Sequence, residues 1–211
     1  MLEIPIGRRL FLQGAAGLGV LAALPAWAAG LPAVEEVANE PAIPALGNPL
    51  GNVTLVEFVD YQCPYCKICY REIAKLVAED SDIRVVMKDW PIFGDVSLYA
   101  ARAVMTSAGD RAYAAVVAGL MANDRYLSRR RVDRILAEAG IERAVLGERM
   151  ASRQAEIDGL LERNNAQARA FGLTGTPGLL VGHVLYRHGL GIEKLRKAVA
   201  FVRSGEGTYP T

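Results

Sequence analysis

Apolar and polar positions divide the chain into stretches of different period. Residues 10–30 are mostly apolar, rich in Ala, Gly and Leu and interrupted by Gly14, Gly17, Gly19 and Pro25. Residues 29–51 carry Pro32, Pro41, Pro44 and Pro49 among small side chains, which predicts an extended leader rather than a helix. Residues 54–60 (TLVEFVD) and 83–87 (IRVVM) are β-branched, apolar runs of strand length, and they predict two buried strands with an amphipathic helix between them. From about residue 97 to 171 the period becomes helical with Gly and Asn breaks, predicting helices over 97–108, 111–122, 128–139 and a stretch up to 170. Past Pro177, short apolar runs at 179–181 and 184–186 flank Gly182-His183, a two-residue hairpin turn. A last helix over 192–203 places Leu195, Val199 and Val202 on one face. The order is β-α-β, helical block, β-β-α, and the sequence has no internal repeat.

The apolar stretch at the start has the anatomy of an export signal. Arg8-Arg9 precedes it, and Ala26-Trp27-Ala28 supplies a small-residue cleavage site. Arg8-Arg9-Leu10-Phe11-Leu12 resembles the twin-arginine (Tat) signal, which favours that route over Sec, although Gly7 and Gln13 depart from its usual pattern. An uncleaved anchor helix is disfavoured by the glycines and Pro25. Residues 1–28 are therefore expected to be removed and the mature chain to be periplasmic. Cleavage would leave basic and acidic residues equal in number. A chain of 211 residues with net charge +1 offers no field for a polyanion, so nucleic-acid binding is excluded as a leading function. Its 52% hydrophobic residues suffice for a core, and three cysteines are too few for a disulfide scaffold.

The chemistry centres on Cys63-Pro64-Tyr65-Cys66. Cys63 directly follows the first strand, and Pro64 stands where a helix would begin, its φ already helical and its missing N–H harmless. Cys63 then lies at a helix N-terminus, where free N–H groups and the helix dipole stabilise a thiolate. Cys66, one turn on, can close a disulfide with it from a deeper position. This predicts Cys63 as the attacking thiol and Cys66 as its resolving partner.

These features together resemble the DsbA-like thioredoxin-fold thiol-disulfide oxidoreductases: C-P-Y-C after a buried strand, a central helical block, and Thr176-Pro177 ahead of a hairpin. The resemblance covers the chain from about residue 50 onward. It implies an α/β thioredoxin fold with an all-helical insertion, divided as 52–96, 97–171 and 172–211 after the 29–51 leader. It implies that Glu57 is the buried acid beneath the disulfide. The apolar neighbours Leu55, Val56, Phe58 and Val59 agree, since burial would raise its pKa and suit it to accept the Cys66 proton. The same resemblance places Lys88 near that acid as a further catalytic residue. It makes Thr176-Pro177 a cis-proline loop that pairs with an extended substrate, with Pro64 and Tyr65 as the neighbouring substrate contacts.

Other signals read more plainly. Cys69 extends the motif to C-x-x-C-x-x-C, but it shares a helical stripe with Cys66, Ile73, Leu76 and Val77 and reads as a core residue. Zinc would need four ligands, and both histidines, His183 and His188, lie far away in sequence. Arg129, Arg130, Arg131 and Arg134 read as a solvated helix face. Trp90-Pro91-Ile92-Phe93 caps the core or lines a substrate groove; the sequence leaves both open. The expectation is a periplasmic, monomeric oxidoreductase without a cofactor. It would act on cysteine-containing exported proteins and be reset by a membrane-bound redox partner. Within that class, a reductase or isomerase is the alternative to an oxidase; outside it, the competitor is a periplasmic Cu(I)-binding protein using Cys63, Cys66 and Cys69. Tyr65 stands where strongly oxidising relatives have histidine, which predicts a milder oxidant.

Overall fold

The computed structural model describes residues 32–205. The predicted export signal and its cleavage site therefore lie outside the described residues. No described helix is long and apolar enough to cross a membrane.

The elements follow one another as α1 (Val34–Ala38), β1 (Leu46–Gly47), β2 (Val53–Val59), α2 (Pro64–Glu79), β3 (Ile83–Asp89), α3 (Asp95–Thr106), α4 (Tyr113–Ala122), α5 (Arg129–Glu138), α6 (Arg143–Ser152), α7 (Gln154–Ala170), β4 (Gly178–Val181), β5 (Val184–Tyr186) and α8 (Ile192–Ser204). The sheet has the order β1-β3-β2-β4-β5, with β2 and β3 parallel and the other pairs antiparallel. The motif strand β2 is central, and α2 connects it to β3.

Side-chain alternation divides the core between the two sheet faces. Leu55, Val59, Val85, Met87, Leu179 and Val181 pack with Cys66, Cys69, Ile73 and Leu76 of α2 and with Leu195 and Val199 of α8. Val56, Phe58, Val86 and Leu180 face the other way, against Leu160, Leu161 and Ala168 of α7 and Phe171. Phe58 meets Trp90 and Phe171 edge to face, at centroid separations of 6.5 and 6.2 Å. Trp90 is thus a core residue, whereas Ile92 and Phe93 remain exposed.

Two expectations are corrected. The 29–51 leader holds a short helix and a strand. Val37 and Ile43 are buried against the Phe58 face, the carbonyl of Ala38 accepts a hydrogen bond from Arg84, and β1 pairs with β3 at the sheet edge. Burying one Val or Ile is worth about 1.5–3 kcal/mol, enough to override the weak local preference of a proline-rich stretch. The helical stretch ending near residue 170 is two helices. Arg153 leaves helical geometry, and its guanidinium bonds the Met105 carbonyl and Glu156. Elsewhere the elements fall within a few residues of the pattern. Ser128 caps α5 by accepting from the Arg131 N–H at 3.2 Å. Gly182 supplies the positive φ of 53° in the hairpin.

Candidate active site

Strand β2 ends at Val59, and the turn after it carries Cys63 to the N-cap of α2, with Pro64 as the first helical residue. Asp60 builds this turn. Its Oδ1 accepts from the Gln62 N–H at 2.8 Å and the Ser97 hydroxyl at 2.6 Å, and its Oδ2 from the N–H groups of Ile92 and Phe93 at 2.8 and 3.1 Å. One buried carboxylate thus ties the Cys63 turn to the segment after β3 and to α3. The Asp60 carbonyl also accepts from the Cys63 N–H at 3.0 Å. The sequence reading missed this residue; an Asp closing a strand two residues before Gln62 was a visible Asx-turn signal.

Cys63, Cys66 and Cys69 are present as thiols, spaced by one helical turn each and all buried. The Cys63 thiol donates to the Thr176 carbonyl at 3.3 Å. The peptide bond between Thr176 and Pro177 is cis. The hydrogen bond from the Cys66 thiol lowers the Cys63 pKa to about 6 against the opposing effect of burial, helped by the Thr176 side chain and by the N–H groups of Cys66 and Tyr65. Burial raises the Cys66 pKa, and its hydrogen bond to Cys63 and the nearby Glu57 charge add to that. The two thiols are thus strongly unlike: the outer one ionises readily and the inner one holds its proton. Tyr65 is 70% exposed beside them.

Glu57 is fully buried, paired across the sheet with Met87 and Leu179 and facing the thiols of α2. Neither carboxyl oxygen has a well-formed hydrogen bond. Its pKa is raised, by burial first and by the Cys63 charge second, while the Cys69 thiol slightly favours the ionised form. Cys69 is a core residue, as the helical stripe predicts, and burial raises its pKa. It packs under the proline loop: a Cβ built at Gly189 would come within 3.0 Å of the Cys69 Cβ and 3.1 Å of the Pro177 Cγ.

Lys88 corrects the sequence reading. It is buried, but it pairs with Phe58, one position out of phase with Glu57, and so faces the opposite side of the sheet. There its Nζ donates to Gln167 Oε1 at 3.0 Å, and burial lowers its pKa to about 8. His188 lines a cavity of about 380 Å³ with Thr176, Pro177 and Tyr65. His183 instead lies beside Phe201, the two rings tilted at 51° with centroids 6.1 Å apart. The arginine cluster is not purely solvated: Arg129 lies over the Tyr99 ring and Arg131 donates to Asn123 Oδ1. Among the described residues, no three His, Cys, Asp or Glu side chains converge as a metal ion requires.

Comparison with known proteins agrees with this geometry. The family profile described as "Thioredoxin" matches residues 39–200. A thioredoxin-like oxidoreductase from Silicibacter pomeroyi DSS-3 is 34% identical over 82% of this chain and 99% of its own, with a TM-score of 0.77. A periplasmic thioredoxin-like protein from Salmonella enterica serovar Typhimurium is 28% identical over 79% of this chain and 92% of its own, with a TM-score of 0.70. The thiol-disulfide exchange protein alpha-DsbA2 from Wolbachia pipientis shares the fold, at 24% identity over 80% of this chain and 91% of its own, with a TM-score of 0.74. No curated protein matches the sequence.

Proposed function

The chain belongs to the thioredoxin family, and we propose that it is a periplasmic thiol-disulfide oxidoreductase that passes disulfides to exported proteins through Cys63 and Cys66. The observation that carries this reading is the inequality of the two thiols, one near pKa 6 at the helix N-terminus and one with its pKa raised by burial. An acidic outer thiol is a good leaving group and a poor disulfide former, which makes the Cys63–Cys66 disulfide oxidising. The likeness to a periplasmic thioredoxin-like protein supports the location.

In the oxidising direction, a substrate thiolate attacks the Cys63 sulfur of the disulfide. A substrate–Cys63 bond forms, the Cys63–Cys66 bond breaks, and its electron pair goes to the Cys66 sulfur, which takes a proton. Glu57 would supply it, a role that its burial and raised pKa support. A second substrate thiolate then attacks the substrate sulfur of the mixed disulfide and releases Cys63 as a stable thiolate. The charge coupling suits this sequence. While Cys63 is in a disulfide, the push of its thiolate on Glu57 is absent, so the Glu57 pKa is lower than in the reduced enzyme and the carboxyl gives up its proton more readily. In the reverse reaction the carboxyl must start ionised to accept the Cys66 proton, and the absence of the Cys63 thiolate favours that ionised form. The backbone of Thr176, held at Cys63, is the edge with which an extended substrate would pair, and Pro64 and Tyr65 would meet the same substrate. The reduced pair left behind needs a separate redox partner.

The redox equilibrium of the mature chain with glutathione, read by thiol trapping, tests the direction. A potential above about −200 mV, short of the about −120 mV of a strong oxidant because of Tyr65, is the expected oxidase outcome, and one at about −200 mV or below would reassign the protein to reduction or isomerisation.

A further inference from the structure

A second groove, of about 480 Å³, adjoins the proline-loop cavity across Ile68 and runs between α2 and the loop joining α4 to α5. It begins at Pro64, next to Cys63, and continues along Lys67, Ile68 and Arg71 opposite Arg125 and Tyr126. It is a built feature rather than a gap between loose segments. The buried Asn123 holds the loop in place: its carbonyl accepts from Lys67 Nζ at 2.6 Å, its Oδ1 from Arg131 at 3.0 Å, and its Nδ2 donates to the Arg125 carbonyl at 2.8 Å.

The walls combine two chemistries. Ile68 and Tyr126 are 48% and 84% exposed, leaving apolar surface without a partner. Three cations, Lys67, Arg71 and Arg125, face one anion, Asp124. Lys67 is committed to the Asn123 carbonyl, whereas Arg71 and Arg125 are exposed and make no close ion pair among the described residues; the carboxylate nearest Arg71 in sequence, Glu72, is already held by Lys75 at 2.6 Å and feels Arg71 only as a neighbouring charge. A groove that starts at the residue after the attacking cysteine, mixes exposed apolar side chains with polar ones and carries an excess of positive charge is complementary to a peptide bearing carboxylates among apolar side chains.

We infer that this groove binds the segment flanking the reactive cysteine of a substrate protein and selects substrates in which that segment carries acidic residues. The inference rests on the exchange chemistry proposed above and adds its substrate class. Distance sets the position. Arg71 is eight residues beyond Cys63, a rise of about 12 Å along the helix. An extended peptide covers that in about four residues, so the favoured acid lies about two to four positions from the substrate cysteine.

The test uses the oxidised mature protein and peptide thiols that each contain one cysteine. Asp or Lys stands three positions before the cysteine in one pair and three positions after it in another. Mixed-disulfide formation is followed by acid quench and mass analysis, and each rate is normalised to the same peptide's rate with hydroxyethyl disulfide, which removes the effect of the charge on the thiol itself. In one of the two placements, the Asp peptide should react about three- to tenfold faster than its Lys counterpart at low salt, as expected for two exposed charges. The advantage should shrink in about 0.5 M salt. It should vanish or reverse in the Arg71→Glu/Arg125→Glu variant. It should persist in Arg111→Glu/Lys197→Glu, which changes the net charge equally outside the groove. Equal rates in both placements, or an advantage untouched by the groove variant, would overturn the inference while leaving the exchange chemistry standing. Failure of the oxidised protein to oxidise dithiothreitol, which is neutral and too small to need the groove, would overturn both.

Discussion

Glu57 and Lys88 are both buried ionisable residues on neighbouring central strands, yet only one of them lies with the thiols. Glu57 points at α2 with neither oxygen well bonded, an arrangement that costs stability and supports the proposed proton exchange with Cys66. Replacing it by glutamine keeps the shape and removes that capacity. Glu57→Gln is therefore expected to slow the step in which Cys66 gains or loses its proton by about 100-fold, the usual range for a lost acid–base group, while the initial alkylation of Cys63 stays fast. Rapid-quench kinetics of mixed-disulfide formation and resolution separate the two; equal resolution rates in variant and parent would remove Glu57 from the mechanism. Lys88 is held on the opposite face by Gln167. For Lys88→Met we expect the pH midpoint of Cys63 alkylation to equal the parent's, both expected near 6. A midpoint moved by more than about half a pH unit would show that the lysine acts through the sheet.

At the level of elements, the β2–α2 turn and the β3–α3 segment are fastened together by the four hydrogen bonds to Asp60. Asp60→Ala leaves three backbone N–H groups and one hydroxyl without this acceptor; only the Ser97 bond is fully buried, worth about 1–3 kcal/mol, and the part-buried N–H groups can turn to water at about 0.5 kcal/mol each, so the expected destabilisation is about 3 kcal/mol. Because the same bonds hold the Cys63 turn, Cys63 reactivity should fall along with stability. Denaturant unfolding and alkylation of the same samples check both, and a variant with lost stability but unaltered Cys63 reactivity would mean that the turn holds itself. Asp60 also shows where sequence reading stops. The strands, α2, the insertion and the hairpin were legible because period and β-branching are local, and Glu57 was legible from its four apolar neighbours. Three of the four partners of Asp60 lie more than thirty residues away, so only the local bond to Gln62 left a trace. Lys88 was misplaced because the side it faces depends on the β2–β3 register, which local pattern does not encode. The proline-rich leader was misread because burial of Val37 and Ile43 in a distant core, not local preference, makes it fold.

Across the whole molecule, the buried acids and the outer thiol pull stability in opposite directions as pH rises. Asp89 is buried, accepts from the Tyr61 hydroxyl at 2.7 Å, and has its pKa pushed up to about 8, chiefly by burial. A carboxyl with a raised folded pKa contributes stability that is full below its unfolded value, about 3.9, and lost as pH rises through the folded one. Both redox forms should therefore become less stable from about pH 4 to about pH 8, and Asp89, common to both, drops out of their difference. Cys63 has the opposite sign and titrates only in the reduced form. With its pKa lowered to about 6, it contributes stability that is present above the ordinary thiol value of about 8.5 and is lost as pH falls through about 6. The stability of the reduced protein relative to the oxidised one is thus expected to increase from about pH 6 to about pH 8.5. Glu57 works against this increase, because the Cys63 thiolate makes ionisation of Glu57 more costly in the reduced form, so the rise should be steeper in Glu57→Gln. Thermal unfolding of both forms at half-unit steps over this range, in parent and variant, reads the effect directly. If the difference stayed level with pH, the fold would not be holding the thiolate, and the oxidising direction would lose the force proposed to drive it.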